Sequence, residues 1–141
     1  MKIIYTSYHG TYSSLLMAIL HVYKWRSLPE YSKIFPIPLF CELSYGDLLY
    51  IGMDDKLDEI YVLGCRRLHD NIKNSLLGVQ KIFKLDYDRL VFVDTQNLED
   101  KIDMFVMKLI HLGIGKEMFK RYLYNKFREK LKNGEAYDYN L

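Results

Sequence analysis

The sequence predicts an α/β fold: a single-domain sandwich with a small mixed, mostly parallel sheet of about four strands, one antiparallel hairpin among them, covered by helices. Strand-like and helix-like segments alternate along the chain. Half of the 141 residues are hydrophobic and 15% are aromatic, which is enough for one core. The longest apolar run, residues 15–20, is far below the roughly 20 residues of a membrane span. We expect one domain over residues 1–134 and a tail over 135–141.

The first predicted strand covers residues 2–6, a β-branched and aromatic run that ends in turn-forming polar residues. Residues 12–25 are apolar on nearly every face, which predicts a helix with little solvent exposure, packed on that strand. Prolines at positions 29, 36 and 38 exclude a regular helix, so residues 27–46 are expected to form a long connection.

A hairpin and an amphipathic helix follow. The strand-like runs 48–52 and 60–64 bracket a polar stretch, which is typical of an antiparallel hairpin. Residues 67–84 are predicted to form an amphipathic helix, because apolar residues recur there every three or four positions. Its apolar stripe consists of Leu68, Ile72, Leu76, Val79 and Phe83.

The remaining elements are one strand and two helices. The continuous apolar run 90–94 is expected to be an interior parallel strand that closes a βαβ unit from residue 60 to 94. Glycines 113 and 115 should end a third helix, whose apolar stripe is Leu98, Ile102, Phe105, Val106 and Leu109. A fourth helix over 116–132 should bury Phe119, Leu123 and Phe127.

Composition argues against several classes of partner. Twenty basic and 18 acidic residues give a net charge of +2, so no nucleic acid is expected as a ligand. The polar residues that follow Tyr5 leave no room for the apolar region of a signal peptide, which favours a cytoplasmic protein. In that compartment a disulfide between Cys41 and Cys65 is disfavoured.

The turn after the first strand is the best candidate ligand site. It is rich in hydroxyls around one glycine, and it opens a helix whose positive dipole end favours a phosphate or carboxylate. The candidate ligand-binding residues are Ser7, Gly10, Thr11, Ser13 and Ser14. The alternative is structural: Gly10 permits the turn, Thr11 or Ser13 caps the helix, and nothing binds.

His9 and Asp94 are the candidate catalytic residues if the protein is an enzyme, which the sequence leaves open. Ligands of open α/β sheets collect beyond the carboxyl ends of parallel strands, where both residues are expected. His9 would act as the acid or base, and Asp94 as its partner or as a metal ligand. A simpler interpretation makes Asp94 a turn or cap residue.

No metal or cofactor is predicted. Cys65 and His69 are four residues apart, but no established metal motif accompanies them. A nucleotide-binding P-loop pattern is also missing. Residues 2–18 resemble the opening of flavodoxins, which implies a flavin phosphate (FMN) site, but His9 and the hairpin depart from that family.

The second functional hypothesis is a non-catalytic interaction or structural module that uses its basic last helix. Seven cations lie there against two carboxylates, an excess that suits an anionic partner or, more simply, a solvated face. They are Lys116, Lys120, Arg121, Lys126, Arg128, Lys130 and Lys132. The sequence does not fix the oligomeric state.

Several short motifs together resemble the DUF3189 family, uncharacterised proteins of spore-forming Firmicutes. They are the opening Met1 to Tyr5 with Gly10-Thr11 and Ser13-Ser14, the run Tyr50 to Asp54, the run Tyr61 to Gly64, and Val93-Asp94-Thr95. The resemblance covers most of the chain. It implies a bacterial cytoplasmic protein and supplies no activity.

Overall fold

A computed structural model describes residues 1–34, 37, 39–42, 45–85 and 88–134. The strands are β1 (Lys2–Ser7), β2 (Leu48–Met53), β3 (Glu59–Gly64) and β4 (Leu90–Asp94). The helices are α1 (Ser13–Tyr23), α2 (Tyr31–Ile34), α3 (His69–Ile82), α4 (Lys101–His111) and α5 (Lys116–Lys132). The predicted tail, 135–141, lies outside the described residues. The short α2 falls within the predicted connection and was not foreseen.

The four strands form one mixed sheet in the order β2-β3-β1-β4. β1 is parallel to both β3 and β4, while β2 pairs antiparallel with β3. This confirms the mixed, mostly parallel sheet and the hairpin. In the described part of the chain, no helix combines the length and apolar character that crossing a membrane requires.

One expectation about the sheet is wrong: β4 is an edge strand, not an interior one. Its apolar run has another cause, because both of its faces are covered. Val93 packs into the main core, and Phe92 packs against a smaller core on the opposite face. An uninterrupted apolar run therefore indicates that both faces of a strand are covered. It does not indicate that a neighbouring strand pairs with each of its edges.

The two faces of the sheet are covered unequally. The face that carries Ile3 and Tyr5, here the closed face, packs against α1, α4 and α5 in the main core. The face that carries Ile4 and Leu63, here the open face, is covered by α3. Residues 13–20 of α1 are all buried, which confirms the predicted burial of that helix. In α3, by contrast, no residue is fully buried.

The inward side of α4 differs from the prediction. Asp100 caps the helix by accepting the backbone N–H groups of Ile102 and Asp103, each at 3.0 Å, so Leu98 lies before the helix. Ile102 and Phe105, two members of the predicted apolar stripe, are exposed. The buried residues of α4 are Asp103, Val106, Met107 and Ile110.

The last helix confirms one prediction and overturns another. Leu123 and Phe127 are fully buried, and Phe119 packs against the core. Lys120, expected in solvent, is only 5% exposed, and its Nζ lies 2.6 Å from the Glu42 carboxylate. Lys126 also turns inward: its Nζ donates to Asp100 at 2.6 Å and Asp103 at 2.7 Å.

Two more cations of this helix bond to backbone carbonyls, Lys130 to Leu98 at 2.7 Å and Arg128 to Leu28 at 2.9 Å. Four of the seven basic side chains therefore hold the helix to the domain. The face is not simply solvated.

Candidate functional site

The carboxyl ends of β1, β3 and β4 meet at one end of the sheet, and the turn after β1 is bound tightly to the turn after β3. The N–H of Cys65 donates to the Ser7 carbonyl at 2.9 Å, and the N–H of Arg66 donates to the Tyr8 carbonyl at 3.0 Å. Gly10 has a φ of +82°, and a Cβ there would lie 2.5 Å from the backbone nitrogen of Gly64. Glycine is required at this crossing by both its dihedral angle and the contact.

The predicted hydroxyl-rich turn is assembled, but its hydroxyls bind each other. Ser7 Oγ accepts the N–H of Gly10 at 2.9 Å and pairs with Ser14 Oγ at 3.0 Å. Ser13 Oγ pairs with Thr95 Oγ1 at 2.9 Å. Ser7, Thr11, Ser13 and Ser14 are all buried. The network makes the turn rigid and leaves these three serine hydroxyls engaged inside the protein.

A carboxylate already lies at the start of α1. Glu99 Oε1 accepts the Ser13 hydroxyl at 2.6 Å and the Ser13 backbone N–H at 3.4 Å. Burial is the main cause that raises the pKa of Glu99 to about 7. The N-cap residue is Tyr12, which makes no side-chain bond to the helix, so neither Thr11 nor Ser13 acts as the predicted cap. Glu99 thus occupies the position in which we expected an external anion.

His9 lies within this turn and is the most unusual polar group of the described residues. Its side chain is buried, at 2% exposure, and neither ring nitrogen has a hydrogen-bond partner there. The ring planes of His111 and Tyr45 are inclined to that of His9 by 28° and 30°, with centroid distances of 5.4 and 5.9 Å. Burial, and after it the charges of His111, Lys108 and Arg66, lower the pKa of His9 to about 4. His9 is therefore neutral at pH 7 and can accept a hydrogen bond or a proton.

The groups around His9 are cationic or aromatic. The guanidinium of Arg66 lies 3.3 Å from the ring centroid of Tyr45. We call the following residues the strand-end cluster: His9, Tyr45, Arg66, Lys108 and His111. All of them except His9 are exposed, so the cluster is open to solvent around a buried imidazole.

Two clefts flank the cluster. One, of about 320 Å³, is lined by Tyr45, Gly46, Gly64, Cys65, Arg66, Leu68 and Ile72. The other, of about 310 Å³, is lined by Cys41, Glu42, Ile110, His111 and Lys116. His9 makes ring contacts with one lining residue of each cleft, Tyr45 of the first and His111 of the second.

Asp94, His69 and the two cysteines are not members of the strand-end cluster. Asp94 is exposed, and its Oδ1 accepts, at 2.9 Å, the N–H of Gln96, the first residue of the short helical turn that follows β4. It makes no hydrogen bond to His9. His69 Nδ1 pairs with Thr6 Oγ1 at 2.9 Å, and Cys41 and Cys65 are free thiols. In the described parts of the chain, no three His, Cys, Asp or Glu side chains are placed to hold a metal.

Four cluster residues were not predicted from the sequence: Tyr45, Arg66, Lys108 and His111. Arg66 carried a usable signal, because it follows a strand whose carboxyl end was expected to reach the site. Lys108 and His111 are about 100 residues from His9 and belong to a helix assigned only a packing role. Their approach depends on how α4 crosses the sheet, which no local pattern encodes.

Comparison with known families identifies the chain. The sequence model of one family, described as "Protein of unknown function (DUF3189)", matches residues 2–133. The chain belongs to this family, as its motifs predict. Comparison with curated proteins and with solved structures gives no match.

Proposed function

We propose that this DUF3189 protein binds a small anion, a phosphate or carboxylate, at its strand-end cluster. The observation that carries the proposal is the His9 side chain, buried without a hydrogen-bond partner among the described residues. Buried polar atoms are nearly always paired, so two unpaired nitrogens in one ring call for an explanation. A ligand group that approaches His9 supplies one.

The charges around His9 favour an anion as that group. Arg66, Lys108 and His111 all act on the imidazole, and none of the charged groups that shift its pKa is a carboxylate. An oxyanion would give Arg66 and Lys108 a counter-ion and would accept a hydrogen bond from His9. The site proposed here lies beside the α1 N-terminus and not on it, because Glu99 already occupies that end.

In this proposal the predicted ligand-binding turn has a positioning role. Gly10 allows the close approach to Gly64, and the bonded hydroxyls of Ser7 and Ser14 fix the backbone on either side of His9. The proposed activity is binding. His9 is neutral and able to accept a proton, so it remains the candidate acid or base if the bound anion reacts.

Inorganic phosphate is the probe that tests the site. Phosphate titrations followed by thermal shift and calorimetry should stabilise the wild-type protein, and Arg66→Gln should abolish the effect. Arg89→Gln is the matched control, because Arg89 is exposed at the amino end of β4, opposite the cluster. No stabilisation of the wild type, or equal stabilisation of Arg66→Gln, would contradict the proposal.

A second candidate function, a protein-interaction module, is favoured by the open face. Apolar side chains of α3 and its ends are exposed there, including Ile82 at 76% and Phe83 at 68%. We assign the docking surface of this hypothesis to the open face and not to the basic last helix, because four of the seven cations of that helix bond within the domain. Light scattering over a concentration series tests self-association, and a persistent monomer would remove that form of the hypothesis.

A further inference from the structure

We infer that the natural ligand carries an aromatic or other apolar ring next to its anionic group, and that the ring binds in the cleft beside Arg66. The inference rests on the proposed anion site and specifies the chemical class of ligand, a ring-bearing phosphate or carboxylate. It follows from the contrast between the two clefts and from the position of Arg66 at the edge of one of them.

The cleft beside Arg66 is almost wholly apolar. Cys65, Leu68 and Ile72 form one part of its wall, and Tyr45 forms another. Burial raises the pKa of the Cys65 thiol to about 11, so that group is neutral at pH 7. Arg66 is the one charged side chain among the lining residues. An inorganic phosphate would leave this wall unused, whereas a ring beside the anion would cover it and gain from its burial.

The cleft is also the right size for a small ring. Its volume of about 320 Å³ is at the lower end of the range for small-molecule sites, roughly 300–1,000 Å³. The exposed Leu68 side chain, 53% accessible, lies where a ring would remove apolar surface from water. A single ring is enough to fill a cleft of this volume.

Arg66 joins the two halves of such a ligand. Its guanidinium lies over the Tyr45 ring at 3.3 Å, and it also acts on His9. A guanidinium that stacks through its face keeps its N–H donors free at the edge, where they can bind an oxyanion. The Tyr45 ring is 41% exposed, which leaves aromatic surface for the ligand ring. An anion at Arg66 and a ring against the cleft wall are thus within the span of one small molecule.

The second cleft does not offer this combination. Its wall includes the Glu42 carboxylate, which a hydrogen bond from Lys120 keeps ionised by lowering its pKa. His111 and Lys116 add polar groups, so an apolar ring would displace water from them without replacing its hydrogen bonds. The ring therefore belongs in the cleft of Cys65, Leu68 and Ile72.

Calorimetry with three probes tests the inference: inorganic phosphate, phenyl phosphate and benzyl alcohol. Phenyl phosphate should bind at least about tenfold more tightly than phosphate, since burial of a six-carbon ring exceeds the 1.4 kcal/mol that a tenfold ratio requires. Leu68→Gln should reduce this ratio to about threefold or less, because phenyl phosphate would bind more weakly. Leu57→Gln is the matched control, because Leu57 is equally apolar and 72% exposed in the hairpin turn at the other end of β3.

The possible outcomes distinguish failure of the ring site from failure of the anion site. Equal affinity for phosphate and phenyl phosphate would overturn the ring site and leave the anion site standing. Failure of both to bind would overturn the proposed function itself. Benzyl alcohol as tight as phenyl phosphate would overturn the joint site, because the ring would then bind without help from Arg66. Circular dichroism of Leu68→Gln establishes that it is folded, and a folded variant with an unchanged ratio contradicts the inference.

Discussion

The two faces of the sheet differ in how completely they are covered, although the same strands build both. On the closed face three helices bury aromatic and aliphatic side chains, among them Tyr12, Tyr124 and Phe127, at 0% exposure. On the open face the fully buried core is Ile4, Leu63 and Cys65, and α3 lies over it with its outer residues in water. Stability should therefore come from the closed face, which leaves the open face and the strand ends free for ligands.

The candidate site borders both faces of the sheet. Cys65 belongs to the small core of the open face, and Ile72 packs against that core. Both also line the cleft beside Arg66. The turn of His9, by contrast, is anchored to the closed face through α1. The cluster thus combines a rigid support on one side with incompletely covered apolar surface on the other.

The largest expected effect comes from removing a phenylalanine from the closed face. Phe127→Ala should lower the free energy of unfolding by about 3–5 kcal/mol, because the fully buried ring leaves a cavity among packed aromatics. Phe83→Ala, at the end of α3, removes the same group from a position that is 68% exposed and should cost less than about 1 kcal/mol. Urea denaturation measures both. Equal costs would show that the two faces contribute alike.

Local patterns in the sequence predicted the elements well and their environment less well. The segments 2–6, 48–52, 60–64 and 90–94 coincide with the four strands, because alternation and β-branched content report strands directly. The edge position of β4 was missed, because pairing order depends on the whole chain. On α4, Ile102 and Phe105 belong to the predicted apolar stripe but are exposed, since periodicity cannot tell an exposed apolar stripe from a buried one.

The site was predicted only in part, for a related reason. The sequence identified His9 and the turn around Gly10, since a glycine and hydroxyls at a helix start form a local signal. It missed Glu99, Lys108 and His111, which reach the turn from distant parts of the chain. It also could not show that the serine hydroxyls bond to each other, because that depends on side-chain geometry inside the packed turn.

The next largest effect concerns a charge on the closed face. Asp103 is fully buried and accepts from Lys126 at 2.7 Å, so removing the ammonium takes away its closest cationic donor. If the basic face of α5 were solvated, as the simpler interpretation of its sequence has it, Lys126→Ala would change stability very little. The structure predicts that Lys126→Met, which keeps the apolar stem, lowers the free energy of unfolding by about 1–3 kcal/mol.

Lys132→Met is the control for that substitution, because Lys132 is exposed on the same helix. It should change stability by no more than about 0.5 kcal/mol. Chemical denaturation of both variants at one pH gives the comparison. If the two variants lose the same amount, the inward salt bridges of α5 contribute nothing and the helix is held by packing alone.

A smaller effect should appear as pH dependence at the strand ends. His9 has a pKa of about 4 in the folded protein and the ordinary value of 6.5 when unfolded. Between these values the unfolded chain binds more protons, so this group makes stability rise with pH. His9→Phe should remove about 1–2 kcal/mol of the difference in stability between pH 5 and pH 7. Denaturation of wild type and variant at both pH values measures it.

The pH dependence of His9→Phe has to be compared with that of the wild type, because Glu99 contributes to the pH dependence of stability with the opposite sign. Its pKa is raised to about 7 in the folded protein, so between pH 4.5 and 7 the folded state binds more protons and stability falls as pH rises. The two groups partly cancel in the total curve. An unchanged pH dependence in His9→Phe would show that the imidazole is not buried as described. Bound phosphate should reduce the contribution of His9 to the pH dependence of stability, because an anion favours the charged form of the imidazole.

The smallest expected effect on stability is that of a substitution on the open face, and this substitution also tests the interaction hypothesis. Ile82→Gln should change the free energy of unfolding by no more than about 0.5 kcal/mol, since the side chain is 76% exposed. Ile110→Gln on the closed face, where exposure is 1%, should be strongly destabilising and serves as the contrast. If the open face binds a second copy of the chain, Ile82→Gln should also weaken association in light scattering. The opposite outcome is a large loss of stability in Ile82→Gln, measured at a concentration where the variant is monomeric. It would mean that α3 is packed more closely than its exposure indicates. The open face would then be unsuited to binding a partner.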